Sequence, residues 1–463
     1  MRRFGLVAGL ALAVVIPSSV FAVPSFTRQT GLTCNQCHIT FSNVPDFTFT
    51  GKKFRLNGYR TPYVAEKIEA GEEGALSGNR LVLGIQNIYS LRFRNTLLAQ
   101  SKPASDAASP APDAGPVTST PGTSISWFYV GGIGEHIGLW NEFYLDASGN
   151  TSPSAGVFRL EAFDEYDLKF VLNPGYENIV GFSIASQNMA SLGGFSPFNS
   201  GTPNNMQRGG IGNAHTTYVN LSAYTFIKDR VLAAVGVQTG EDNYSFSDGM
   251  NWQAMFGYAL GNTDHNQLWY NFQIKSGNDA IPIVSTPSMN SDRAVTYRDA
   301  ITGITNTRGN DATGKKITAA YDPTNTGDFV RTLQEIHYGF VDHGPHSFSS
   351  AFGFAFDRET YDDGAEIKRT GVGGRFRYYY NRTWGVEYQA NKNLTYQFTD
   401  RAGTAHDVSN PANFSSATFY YRPAMNFSLS LGVGINRTTG TILDDTRTFR
   451  KGWSWSIGYD YMF

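Results

Sequence analysis

From residue 81 onward the chain repeats one signal, an alternation of apolar and polar side chains at period two. Arg80-Leu81-Val82-Leu83-Gly84-Ile85-Gln86-Asn87-Ile88-Tyr89 opens the series. Ile137, Leu139, Phe143 and Leu145 alternate with His136, Trp140, Glu142 and Asp146, and Val157, Arg159, Glu161 and Asp164 sit among Phe158, Leu160, Phe163 and Tyr166. Ser415, Ala417, Phe419 and Tyr421 keep the period, as do Phe427, Leu429, Leu431 and Val433. Successive residues of a strand point to opposite faces, so such segments carry one apolar face and one polar or small face. About sixteen segments fit, each close to the ~10 residues of a membrane-spanning barrel strand. Helix-period stripes are few.

Connection lengths support the same reading. After a first strand near 79–92, long connections fall near 93–124, 187–212, 276–328, 399–413 and 437–451, and medium ones near 148–155, 240–249 and 357–365. Between them stand tight turns at Asn173-Pro174-Gly175, Lys228-Asp229, Asp342-His343-Gly344, Asn381-Arg382 and Arg422-Pro423. Outer-membrane barrels alternate short periplasmic turns with long outer loops in this way, which a soluble sandwich has no reason to do. The stretch Ser101–Pro121, rich in Ala, Pro and Ser, reads as an outer loop. In the last segment Trp453, Trp455, Ile457, Tyr459, Tyr461 and Phe463 hold the odd positions, with small or polar residues between them apart from Met462. This ending resembles the insertion signal of bacterial outer-membrane proteins, and Tyr and Trp near strand ends suit an interfacial girdle. The expected fold is mainly β, a transmembrane antiparallel barrel of about sixteen strands over residues 78–463, following a small N-terminal segment suited to plug its lumen.

Residues 1–22 read as an export signal: Arg2 and Arg3, an apolar core from Phe4 to Ile16, and Val20-Phe21-Ala22 as a small-x-small cleavage site. No later apolar run reaches the length of a membrane helix. Formal net charge is −2, which argues against nucleic acid as a partner.

Residues 23–77 form the second region, broken by Pro24, Pro45 and Pro62, with a short helix expected near Tyr63–Ala70. The only two cysteines of the chain are here, in Cys34-Asn35-Gln36-Cys37-His38. Two thiols at this spacing can each bond a haem vinyl group, and the histidine that follows is then held under the iron. A zinc site needs four ligands, and no second pair completes one. A thioredoxin-type pair expects a βαβ setting that this chain lacks. The motif therefore predicts one covalent haem c on Cys34 and Cys37, with His38 as proximal ligand to the haem iron. About fifty residues are marginal for an independent domain, so the segment needs a host.

Pro24-Ser25-Phe26-Thr27-Arg28-Gln29-Thr30-Gly31 precedes the motif and Thr50-Gly51-Lys52-Lys53-Phe54-Arg55-Leu56-Asn57-Gly58-Tyr59 follows it. With these flanks the chain resembles the fused outer-membrane cytochrome–porins of iron-oxidising bacteria, whose Phe-Gly-Arg stands here as Thr50-Gly51-Lys52. The resemblance implies a bacterial outer-membrane electron conduit with its haem segment in the periplasm or lumen. It implies oxidation of extracellular Fe(II) and transfer of electrons to a periplasmic cytochrome or other carrier. Where that is counted as catalysis, the activity is of the iron(II):cytochrome oxidoreductase type. Two alternatives stand beside it: electron exchange with other metals, minerals or electrodes, and a solute porin whose haem plug is structural or sensory.

The segment 23–77 contains no Met and no second His, so a sixth iron ligand would come from the barrel. His136 and His337 are candidates, since each shares strand parity with a carboxylate, Glu142 and Glu335. Arg28, Lys52, Lys53 and Arg55 could pair with haem propionates. Glu241-Asp242, Asp362-Asp363 and Asp444-Asp445 place hard oxygen ligands in the proposed outer loops.

Overall fold

Each alternating segment, buried on neither face by its own chain, satisfies its backbone only by pairing with neighbours on both sides. In the computed structural model, sixteen strands do so around a closed ring. The structure describes residues 24–30, 32, 34–39, 46–60, 89–100, 118–133, 136–146, 159–173, 178–186, 189, 192, 219–239, 250–262, 266–278, 295–298, 305–310, 316–317, 327–361, 366–399, 405–407, 413–424, 427–438 and 450–462. The strands are β1 (Tyr89–Gln100), β2 (Thr118–Ile133), β3 (Ile137–Asp146), β4 (Arg159–Val171), β5 (Asn178–Ala185), β6 (Asn220–Ile227), β7 (Val231–Thr239), β8 (Met250–Asn262), β9 (Asn266–Gly277), β10 (Val295–Arg298), β11 (Thr305–Asn310), β12 (Lys316–Ile317), β13 (Gly327–His343), β14 (His346–Tyr361), β15 (Glu366–Tyr380), β16 (Trp384–Thr399), β17 (Ala405–Asp407), β18 (Asn413–Ala424), β19 (Phe427–Thr438) and β20 (Arg450–Met462). Strands β10 to β12 make a separate small sheet, and β17 extends one end of β16. The other sixteen pair antiparallel in sequence, β9 passing to β13, and β1 closes the ring on β20 with Arg92 opposite Met462.

At one end the strands are joined by the short connections 134–136, 172–177, 228–230, 263–265, 344–345, 381–383 and 425–426. The opposite end carries 101–117, 147–158, 186–219, 240–249, 278–326, 362–365, 400–412 and 439–449. The expected alternation is therefore present, with corrected boundaries. The first strand runs on to Gln100, past its expected end near 92, while residues 79–88 of its expected span lie outside the described residues. The connection expected at 357–365 shrinks to 362–365 because β14 continues to Tyr361. Arg422-Pro423 is not the turn. Both residues belong to β18, whose register with β19 shifts between Tyr421 and Ala424, and the irregularity accommodates a proline that cannot donate to a ladder.

The two faces differ as the pattern requires. Ile336, Phe352, Phe354, Phe419, Leu431, Val433 and Ile457 are exposed on the outside, the apolar band of a lipid-facing wall. Their neighbours on the inner face, among them Arg331, Glu335, His337, Asp357, Glu359 and Arg369, are buried. Arg331 bonds Asp357 and Glu359 at 3.0 Å each, and Arg369 pairs with both carboxylates. Four opposite charges thus neutralise one another inside the barrel. Asn141 and Glu142 of β3 are both buried, and beside them the register between β3 and β4 shifts between Glu142 and Tyr144, with the extra residues on β4.

Candidate functional site

The N-terminal segment folds into three short helices, α1 (Pro24–Thr30), α2 (Cys34–Cys37) and α3 (Phe49–Leu56). The single turn of α2 places positions 34 and 37 three residues apart, on one side of the helix. The backbone then extends, and His38 forms an antiparallel bridge with Phe47. Thr48 joins these pieces. Its amide donates to the Cys37 carbonyl at 2.9 Å, its hydroxyl donates to the Gln36 carbonyl at 2.5 Å, and the same oxygen caps α3 by accepting from the Gly51 amide at 3.0 Å. Gly51 is required here, because a Cβ would stand 2.2 Å from the Cys37 carbonyl oxygen. The motif and α3 touch backbone to backbone.

This unit sits inside the barrel at the end bearing the short connections. Leu56 joins a buried cluster with Val171, Ile179, Tyr224, Phe226 and Trp269, and Phe49 packs against it. Each such side chain contributes roughly 1.5–3 kcal/mol by leaving water. Tyr224 donates to the Leu56 carbonyl at 2.6 Å, and Tyr59 donates to Asp167 at 2.9 Å. Gly138 abuts Gly58 backbone to backbone, so a Cβ on Gly138 would stand 2.4 Å from the Gly58 Cα. Lys53 pairs with Asp229 at 2.9 Å, in a short turn of the rim. Phe26, Phe54, Tyr59 and Trp140 form an aromatic group between α1 and the wall.

Side chains alternate across the bridge. The His38 and Phe47 rings lie together, with centroids 5.0 Å apart, and Arg55 stacks over Phe47. Ile39 and Asp46 face the other way. Ile39 presses on Gly339 of β13, while Asp46 is buried between Arg375 and Arg377 of β15, the latter at 3.2 Å. Burial alone would push the Asp46 carboxyl up, but Arg375 and Arg377 hold it well below the usual carboxylate range. Burial, followed by the charges of Arg422 and Arg55, pushes the His38 imidazole down to about 4 against the pull of Asp46. It is therefore neutral at ordinary pH, the form that can donate a lone pair to a metal. Burial likewise brings Lys52 down to about 7, with Asp46 opposing. Its ammonium donates to the Phe47 carbonyl at 3.1 Å and to Gln267 at 2.9 Å.

The residues singled out in the sequence separate into groups. Cys37 and His38 are half-buried at the short-turn mouth; Cys34 lies in α2, its side chain outside the described set. Of the four candidate propionate partners, Lys52 and Lys53 are engaged with the barrel, the Arg28 side chain is outside the described set, and Arg55 acts on His38. His136 is an exposed turn residue with Nδ1 2.7 Å from the Val171 carbonyl. His337 shares the lumen face with Glu335 as expected, but it neighbours Asp46 on the flank of the bridge opposite the His38 ring, with Nε2 3.0 Å from Ser349. The three acidic pairs and the helix expected at 63–70 lie outside the described residues. Among the described residues no group of three or more His, Cys, Asp and Glu side chains could hold a further metal ion.

Sequence reasoning missed Asp46, Gln267, Arg375, Arg377 and Arg422. The inward parity of Arg375 and Arg377 was a usable signal, but nothing local paired them with a residue some 330 positions away.

The chain matches no family model and no curated protein. Solved structures of similar shape include OmpT, an outer membrane protein of Vibrio cholerae, at 10% identity and TM-score 0.44, covering 81% of this chain and 96% of that one. An anion-selective porin from Comamonas acidovorans also stands at 10% identity and TM-score 0.44, covering 81% and 98%. The outer membrane channel DcaP of Acinetobacter baumannii stands at 10% and 0.42, covering 81% and 96%. The barrel assignment rests on strand pairing and on the two faces, independently of these likenesses.

Proposed function

We propose that the protein is an outer-membrane electron conduit that carries one covalent haem c on Cys34 and Cys37, with His38 as an axial ligand, in the periplasmic mouth of its barrel. The observation that carries this reading is the seating of the Cys-x-x-Cys-His turn among buried charges at the short-turn end, which is the periplasmic end in barrels of this type. The residues fit the group. Positions 34 and 37 share a helix side, His38 is neutral, α3 closes on the motif through Gly51, and Arg55 and Arg422 supply positive charge beside His38 for propionates. Bound there, a haem would supply a one-electron iron couple. The chain's own residues would hold it at the mouth and leave the motif half-buried, within reach of a periplasmic carrier. Fe(II) is the donor implied by the family-like flanks, and a barrel lets its ferric product stay outside while only electrons enter.

A solute porin with a haem stopper is the second reading, favoured by a sixteen-stranded ring wide enough for an aqueous channel. Purified protein reconstituted in liposomes with the short-turn mouth inward separates the two. External Fe(II) reducing the haem, with no solute flux, supports the conduit. Solute flux without reduction refutes it. Deletion of residues 23–60 is expected to open conductance in either case.

A further inference from the structure

We propose, resting on the haem reading above, that the barrel wall positions the proximal histidine: Arg375 and Arg377 through Asp46, and Gln267 through Phe47, fix His38 and so set the electronic properties of the group it binds.

The local structure around His38 is too slight to hold it. A four-residue helix is far below the length at which helices persist alone, and a single bridge is weaker than a hairpin. Among the described residues two backbone bonds tie the bridge together, Ile39 to Asp46 at 2.8 Å and Thr48 to Cys37 at 2.9 Å. The barrel supplies the remaining restraint, from three strands. On one flank, Arg375 and Arg377 of β15 grip the Asp46 carboxylate. On the other, Gln267 of β9 donates to the Phe47 carbonyl at 2.5 Å, beside the bond from Lys52. Gln267 is itself fixed, because its carbonyl oxygen accepts from the Trp269 indole at 3.0 Å. Below, Ile39 meets Gly339 of β13 without space for a Cβ. Asp46 and Phe47 are the residues paired with Ile39 and His38, so a shift of either wall reaches the imidazole through one peptide. Partners that orient a metal's first ligand tune the metal as strongly as many direct ligands do. These are positioning residues; none touches the iron site itself.

The alternative is that the same contacts merely keep the segment in the mouth. Lys53→Met serves as the control, since it breaks a segment–barrel ion pair on the rim away from the bridge. In the full-length haem-loaded protein, Asp46→Asn and Gln267→Ala are expected to shift the haem midpoint potential. The expected change in reduced-to-oxidised ratio at the wild-type midpoint is on the order of tenfold, about 59 mV for a one-electron couple. The electron paramagnetic resonance signature of the haem should move with it, while Lys53→Met leaves both in place. Gln267→Ala removes no charge and decides the matter should Asp46→Asn fail to assemble, as judged by heat-modifiable gel mobility. An unchanged potential in a folded Gln267→Ala protein overturns the proposal, as does an equal shift in Lys53→Met. Absence of covalent haem from the wild-type protein, by pyridine haemochromogen, refutes instead the functional reading on which the proposal rests.

Discussion

Replacing Gly51 by alanine pits helix propensity against a backbone contact, and the structure says which wins. In an ordinary helix Ala is better than Gly by roughly 0.5–1 kcal/mol. At position 51 the new methyl would stand 2.2 Å from the Cys37 carbonyl oxygen and 3.0 Å from its carbon, whereas carbon contacts favour about 3.5–4.0 Å. The obstacle is main chain and cannot rotate away, so α2 and α3 must part. Overpacking of this kind costs about 1–3 kcal/mol. Parting also strains the Thr48–Cys37 bond, whose net contribution is about 1 kcal/mol. The sum is destabilising by roughly 1–3 kcal/mol once propensity is deducted. Limited proteolysis of the solubilised protein measures the open population of the segment, and 2 kcal/mol raises it about thirtyfold. Gly51→Ala should therefore be cut between residues 23 and 60 at least several-fold faster than wild type, with the barrel core intact. Cutting at the wild-type rate or slower would show that the Cys37–His38 turn does not rest on α3, and the packing argument would fail.

Lys52 gives a pH dependence. Its folded value of about 7 lies below the ordinary 10.5, so between those values the undocked chain binds a proton that the docked one does not. Docking should strengthen as pH rises through that window, with protease cutting slowing from about pH 7 to about pH 10, and Lys52→Met should abolish the slope. Tyr224→Phe leaves the buried Leu56 carbonyl without its donor and should weaken docking by about 1–3 kcal/mol in the same assay. Arg369→Met strips one cation from the buried Arg331–Asp357–Glu359 group and should lower barrel stability by about 3–5 kcal/mol in urea unfolding. Leu431→Arg places a charge on the exposed outer face of β19 and should cost about 2–4 kcal/mol if the residue meets the bilayer midplane, but nothing comparable if it faces water.

The barrel was legible because period two and alternating loop lengths are properties of each segment and its ends. Phe419, Leu431 and Ile457 point outward as their parity requires. Boundaries were less legible where a strand's alternation runs on past a plausible loop start, as where β14 continues to Tyr361. Pro423 suggested a turn because proline usually ends a ladder, yet a register shift absorbs it. At the site, Cys34, Cys37 and His38 stood out as a contiguous motif, but the end of the barrel at which their segment sits could not be read, since it is set by contacts such as Lys53 with Asp229 between residues far apart in sequence. The grip on Asp46 and Phe47 could not be read, since ion pairs between residues some 330 positions apart leave no periodic trace.

Arg60, which reaches the carbonyls of Ile133 and Ile137, and Tyr89, the first residue of β1, lie at the same end of the barrel. The described segment thus ends at the mouth where the described part of the ring begins, so the chain need not cross the lumen between them. N-terminal segment and membrane wall meet through a small set of named contacts, so a different cassette seated in the same sixteen-stranded socket would have to offer the wall an acid for Arg375 and Arg377 and a carbonyl for Gln267.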